Sequence, residues 1–181
     1  MRLGGGLLAS LTVLLAATPA VAEVKSATAD GFVIEHQAQL AVPPSRVYAA
    51  LGQVGQWWND EHTFSGKARN LSLQLQAGAC FCERWRDGSV EHGRVLYARN
   101  GQVLRLQSAL GPLQDMALTG ILAFTLEAKG DAKEGGTALL LSYRVHGPTG
   151  QQLDKLAPVV DGVLGDQFAR LQKFLQTGKA K

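Results

Sequence analysis

The chain has 181 residues, 46% of them hydrophobic, and a formal net charge of +3. That length suits one domain with a real apolar core. The near-neutral balance, with scattered basic residues and no Lys/Arg run interleaved with aromatics, argues against a nucleic-acid partner.

The amino terminus reads as an export signal. Met1-Arg2 supplies a positive start, Leu3 to Ala17 an apolar run, and Ala20-Val21-Ala22 the small residues a signal peptidase reads. The run is short for a bilayer span of roughly 20 residues. Residues 1–22 are therefore expected as a cleaved signal and residues 23–181 as a single periplasmic or secreted domain, with no stable membrane span left. Losing Arg2 lowers the charge from +3 to +2.

After the signal, Gly31 to Leu40 carries β-formers in a partly alternating pattern and predicts a strand, stopped by Val42-Pro43-Pro44-Ser45. A short helix follows over Arg46 to Leu51, with Val47, Tyr48 and Leu51 spaced for one buried face. Gly52 and Gly55 break it, and Gln56-Trp57-Trp58 reads as a second helical turn. Leu71, Leu73 and Leu75 then alternate with polar residues, as in a strand with one wet face. Ala77-Gly78, Asp87-Gly88 and Asn100-Gly101 are turn signals that separate strands over Cys80 to Arg86, Ser89 to Ala98 and Val103 to Ser108. A loop at Leu110-Gly111-Pro112-Leu113-Gln114 precedes two longer strands, Ala117 to Glu127 and Thr137 to Val145.

The chain closes with a long helix that Thr149 can cap. Its apolar stripe runs through Leu153, Leu156, Val160, Val163 or Leu164, Phe168, Leu171 and Leu175. Pro158 predicts a kink, or the start of a second, longer part, and Gly178 marks the end. The expected class is α+β. A curved seven-stranded antiparallel sheet wraps the carboxyl-terminal helix, two short helices separate its first two strands, and a space remains between sheet and helix.

Cys80 and Cys82 share a strand face. Their Cα atoms in a regular strand would lie roughly 6.5–7 Å apart, at the limit for a bridge. Two half-buried, unbridged residues are the expectation.

The segment Val42-Pro43-Pro44-Ser45-Arg46-Val47-Tyr48-Ala49-Ala50-Leu51, followed by Trp57-Trp58, resembles the opening signature of the SRPBCC (START-like) superfamily. Gly78-Ala79-Cys80-Phe81, the Asp87-Gly88 hairpin, Gly135-Gly136-Thr137 and the closing amphipathic helix are similar too. The pattern is closest to the polyketide cyclase/dehydrase-like and ATPase-activator-homologue-like branches. The resemblance implies a helix-grip fold and a deep cavity for a lipid, polyketide, aromatic or sterol-like molecule. It does not imply one activity. Chaperone activation fits poorly with export.

The polar candidates depend on strand register. With two-residue turns throughout, Trp85 faces Val90, Arg84 faces Glu91 and Glu83 faces His92. Leu104 and Leu106 then place Tyr97, Glu91 and Arg84 inside. A single β-bulge would instead bring Glu83 and His92 inward. Both registers stay open. Inside, Glu83 and His92 form a candidate acid/base pair, and Arg84 with Glu91 a candidate for orienting a ligand's polar head. Either pair on a wet face is only a weak ion pair.

Trp57, Trp58, His62, Tyr97, Leu113 and Phe168 complete the candidate ligand-binding residues, with Leu113 in a loop that could gate the cavity. No spacing is diagnostic of a metal, and no nucleophile elbow, phosphate loop or dinucleotide fingerprint is present. No metal or cofactor is expected. The leading expectation is non-catalytic binding of a hydrophobic small molecule, with a cyclase-, dehydratase- or hydrolase-like enzyme as the alternative.

Overall fold

The computed structural model describes residues 21–130 and 135–180. The expected signal lies outside them except for Val21 and Ala22, which pair in the first strand.

One antiparallel sheet runs through the molecule. Its strands are β1 (Val21–Thr28), β2 (Gly31–Leu40), β3 (Leu71–Leu73), β4 (Cys80–Trp85), β5 (Gly88–Arg99), β6 (Val103–Ser108), β7 (Thr119–Lys129) and β8 (Gly136–His146). In space they follow the order β1-β2-β8-β7-β6-β5-β4-β3. Between β2 and β3 lie α1 (Pro44–Gly52) and α2 (Val54–Trp57), and α3 (Leu153–Thr177) closes the chain. Pro44 opens α1, where its missing N–H costs nothing. Among the described residues, no helix is long and apolar enough to cross a membrane.

The strands alternate inward and outward, and their inward residues line up across the sheet. Ile34 pairs with Tyr143, Tyr143 with Leu122, Leu122 with Leu106, and Leu106 with Val95. All five are buried in one hydrophobic core. At Gly120 on β7 a Cβ would lie 2.4 Å from the Ser108 carbonyl oxygen and 2.7 Å from the Tyr143 ring, so only glycine allows that close approach.

The sheet has eight strands, not seven. β1 is the addition, an edge strand hairpinned onto β2 whose short mixed sequence carries little alternation of its own. The α3 cap also differs. Gln152, not Thr149, takes the cap position in left-handed conformation, and the Leu153 N–H donates to the Ala29 carbonyl at 3.2 Å. Pro158 does not divide the helix, which runs unbroken over 25 residues. Proline in the second turn forfeits one backbone bond, and the packed apolar stripe beyond it outweighs that loss. Gly178 ends the helix as expected, left-handed and with its N–H on the Phe174 carbonyl at 2.8 Å.

Cys80 and Cys82 form a disulfide, contrary to the expected free pair. Their Cα atoms lie 5.3 Å apart, inside bridging range, beside the register shift at Phe81/Cys82 where the partner strand carries an extra residue.

Candidate ligand-binding cavity

Two irregularities in β5 decide which side chains face inward. Phe81 pairs with Gly93 and Cys82 with Glu91, leaving His92 as an extra, bulged residue. Val95 pairs with Leu106 but Tyr97 with Arg105, so Leu96 is bulged as well. The turns differ from the expected ones too. Trp85 pairs with Gly88 across Arg86-Asp87, and Arg99 pairs with Val103 across three residues in which Gly101 is left-handed. The realised register is neither of the expected two: two bulges act rather than one, and Glu83 pairs with Val90, not with His92. It brings Glu83 and His92 inside and turns Arg84, Glu91 and Tyr97 outward.

Those three are not cavity residues. Arg84 lies on the wet face, Glu91 pairs with Arg94 there, and Tyr97 is 44% exposed beside the Arg105 guanidinium. The Cys80 and Cys82 sulfurs and a Glu91 carboxylate oxygen gather within 4.8 Å on this same outer face.

Glu83 is fully buried, and each of its oxygens is occupied. Oε1 accepts the Ser65 N–H at 2.6 Å, and Oε2 accepts the Phe64 N–H at 3.0 Å. Oε2 also meets His92 Nε2 at 3.1 Å. Burial pushes the Glu83 carboxyl up, but the hydrogen bonds from Ser65, Phe64 and His92 prevail and hold it below its ordinary value. Burial pushes the His92 imidazole down, and the Glu83 carboxylate only partly opposes this. At neutral pH these directions favour a carboxylate beside an uncharged imidazole. A carboxylate only accepts, so His92 Nε2 carries the proton and Nδ1 presents its lone pair.

The loop that Glu83 grips is held from the other side by α3. The Asn59 N–H donates to Gln167 Oε1 at 2.8 Å, Asn59 Nδ2 donates to Asp166 at 2.7 Å, and Gln167 Nε2 lies 2.7 Å from His62 Nδ1. Within the loop, Trp58 Nε1 donates to the His62 carbonyl at 3.0 Å, and the Ala68 N–H to Asp60 Oδ1 at 2.7 Å. Residues 58–68 therefore form a braced wall between sheet and helix. Gln167, Asp166 and Asn59 were missed in the sequence. A buried glutamine on an apolar helical stripe was the one available signal.

A cavity of about 570 Å³ opens beside this wall. Trp58, His62, Thr63 and Phe64 line one side, together with His92. Leu110, Gly111, Pro112 and Leu113 line another, and Leu156, Val159, Val160, Val163 and Leu164 of α3 a third. Glu61, Gln151, Gln152 and Lys155 complete its lining. Tyr143 props the 110–113 loop. Its hydroxyl donates to the Ser108 carbonyl at 3.1 Å and accepts the Leu110 N–H at 3.2 Å, and burial raises its pKa to about 12.

Of the expected ligand-binding residues, Trp58, His62 and Leu113 line this cavity. Trp57 and Phe168 do not. They pack in the core under the middle of α3 with Leu122, Phe124 and Leu171, around a void of only about 10 Å³. Trp57 Nε1 donates to the Ala50 carbonyl at 2.8 Å there. The grip is closed at its centre, and the hollow sits toward the amino-terminal half of α3.

A sheet clasping a long carboxyl-terminal helix is matched among solved structures. The chain has the helix-grip fold. It is similar to norcoclaurine synthase from Thalictrum, solved with a transition-state analogue (TM-score 0.52, 11% identity, 89% of this chain and 98% of that one). It is also similar to Ara h 8.0201 (TM-score 0.51, 12% identity, 81% and 99%). A conserved protein of unknown function from Enterococcus faecalis matches at TM-score 0.56 with 13% identity, over 88% and 78%. These likenesses establish architecture alone. No family model matches the chain, and no curated protein matches it in sequence.

Proposed function

We propose that this protein binds a hydrophobic small molecule within the helix-grip cavity, as an exported SRPBCC-type protein acting in the periplasm or outside the cell. The observation that carries this is the hollow itself: about 570 Å³, walled by aliphatic and aromatic side chains with a few convergent polar groups. Native mass spectrometry of protein recovered from its own cell envelope tests it. The expected result is a chain beginning at Glu23 and carrying an apolar adduct. An adduct-free chain that also ignores a panel of lipids and aromatics would count against binding, and a retained signal against export.

The Glu83–His92 contact favours a second reading, a proton-transferring enzyme of the cyclase, dehydratase or hydrolase kind. The carboxylate would orient the imidazole and stabilise the imidazolium formed when Nδ1 takes a substrate proton. Under this reading His92→Phe keeps apolar binding and loses turnover. Turnover unchanged in that variant excludes it.

A further inference from the structure

Two imidazoles, His62 and His92, line the cavity, and their protein partners fix what each can offer a ligand. The Asn59 N–H donates to Gln167 Oε1 at 2.8 Å, so the other end of that amide is its nitrogen. Gln167 Nε2, a donor only, lies 2.7 Å from His62 Nδ1. The 2.7 Å contact assigns His62 Nδ1 as the acceptor and its proton to Nε2, with the Asp166 carboxylate farther from Nδ1 at 3.7 Å. His92 has the same tautomer for the opposite reason, because its Nε2–H is used by Glu83 at 3.1 Å. One tautomer is thus put to two uses. Among the described residues, His62 is left with a free donor and His92 with a free acceptor. Both rings are held by partners that are themselves fixed: Gln167 and Glu83 are buried, and each also accepts a backbone N–H of the 59–65 loop.

We propose that the ligand is an apolar, ring-sized molecule carrying both a hydroxyl and a carbonyl oxygen, the hydroxyl donating to His92 Nδ1 and the carbonyl accepting from His62 Nε2–H. This rests on the cavity being a binding site and adds the polar code by which it chooses. A ligand lacking either group leaves a desolvated imidazole nitrogen unanswered, which is the stronger form of discrimination.

The test is a panel on one naphthalene scaffold: ethylnaphthalene, naphthol, acetonaphthone and hydroxyacetonaphthone, titrated against the native protein by calorimetry. Hydroxyacetonaphthone is expected to bind tightest, with a loss of roughly five- to tenfold for each polar group removed. In His92→Phe the hydroxyl should cease to matter, and in His62→Phe the carbonyl. Equal binding of all four by the native protein would overturn the donor–acceptor code and leave the cavity reading standing. If none of the four binds, and a neutral fluorescent naphthylamine fails as well, the cavity reading falls and the code with it. Nitrogen-15 NMR of the native imidazoles needs no variant and no ligand. It should find the proton on Nε2 and a bare Nδ1 in both rings, and a proton on Nδ1 of either would overturn the proposal.

Discussion

Putting a carboxylate into an apolar sheet is costly unless its lone pairs are answered. At Glu83 they are answered by two backbone N–H groups and an imidazole. The residue therefore does two jobs, holding the 64–65 segment against the sheet and fixing the His92 tautomer. Glu83→Gln keeps the shape but turns an NH2 group toward one of those donors. Its expected cost is about 2–4 kcal/mol in urea unfolding, with a shift of the His92 tautomer signal. A variant as stable as the native chain would remove Glu83 from this role. Residue types alone singled out Glu83 and His92, because an acid and a histidine on the two strands of one hairpin are visible in a sequence, although Glu83 pairs with Val90 and not with His92 as the expected turn implied. Their inward orientation was not visible. It depends on one extra residue at His92, and the cost of a bulge is weighed against the packing of both faces, which no local pattern around Glu83 records.

Elements were easier to read than the joints between them. β2, the short helices, the chain order of the elements and the α3 stripe followed from periodicity, since alternation and 3.6-residue spacing are direct consequences of which side is buried. The hairpins were less legible. Two-residue turns at Asp87-Gly88 and Asn100-Gly101 fit the turn residues, yet the chain uses Arg86-Asp87 and a three-residue turn with Gly101 left-handed. Each slip re-aims a whole strand face, which is why Tyr97 and Arg84 emerged outside.

A second buried imidazole ties α3 to the sheet. His36 of β2 lies 3.0 Å from Asp161 and packs on Phe168, where Gly165 lets the helix approach. Burial prevails over Asp161 and lowers its pKa, as it does at His92 over Glu83. The unfolded chain thus takes up these protons near the ordinary value of 6.5 while the fold resists them, so stability falls as pH drops below about 6.5. Glu83, also lowered, adds a further loss below its ordinary 4.5. The urea midpoint should be lower at about pH 5.5 than at about pH 7.5. A midpoint that rises on acidification contradicts this.

At the scale of the whole molecule, the position of the hollow matters more than its existence. The Trp57 and Phe168 cluster fills the middle of the grip, and the space is left between α3, the braced 58–68 wall and the 110–113 loop. Phe64 and Val159, which line that space, are 56% and 66% exposed, and this apolar rim suits entry of an apolar guest. The sequence pointed to a hollow but not to its end of the sheet, because that depends on how bulky side chains from distant segments share one interior.

The most direct test is a titration with a neutral naphthylamine fluorophore of the native protein and of Val160→Trp, whose indole would occupy the cavity from α3. The account predicts one site per chain in the native protein, and at least about a tenfold loss of affinity in a variant that melts at the same temperature. No binding by the native protein, or binding untouched by Val160→Trp, would contradict it.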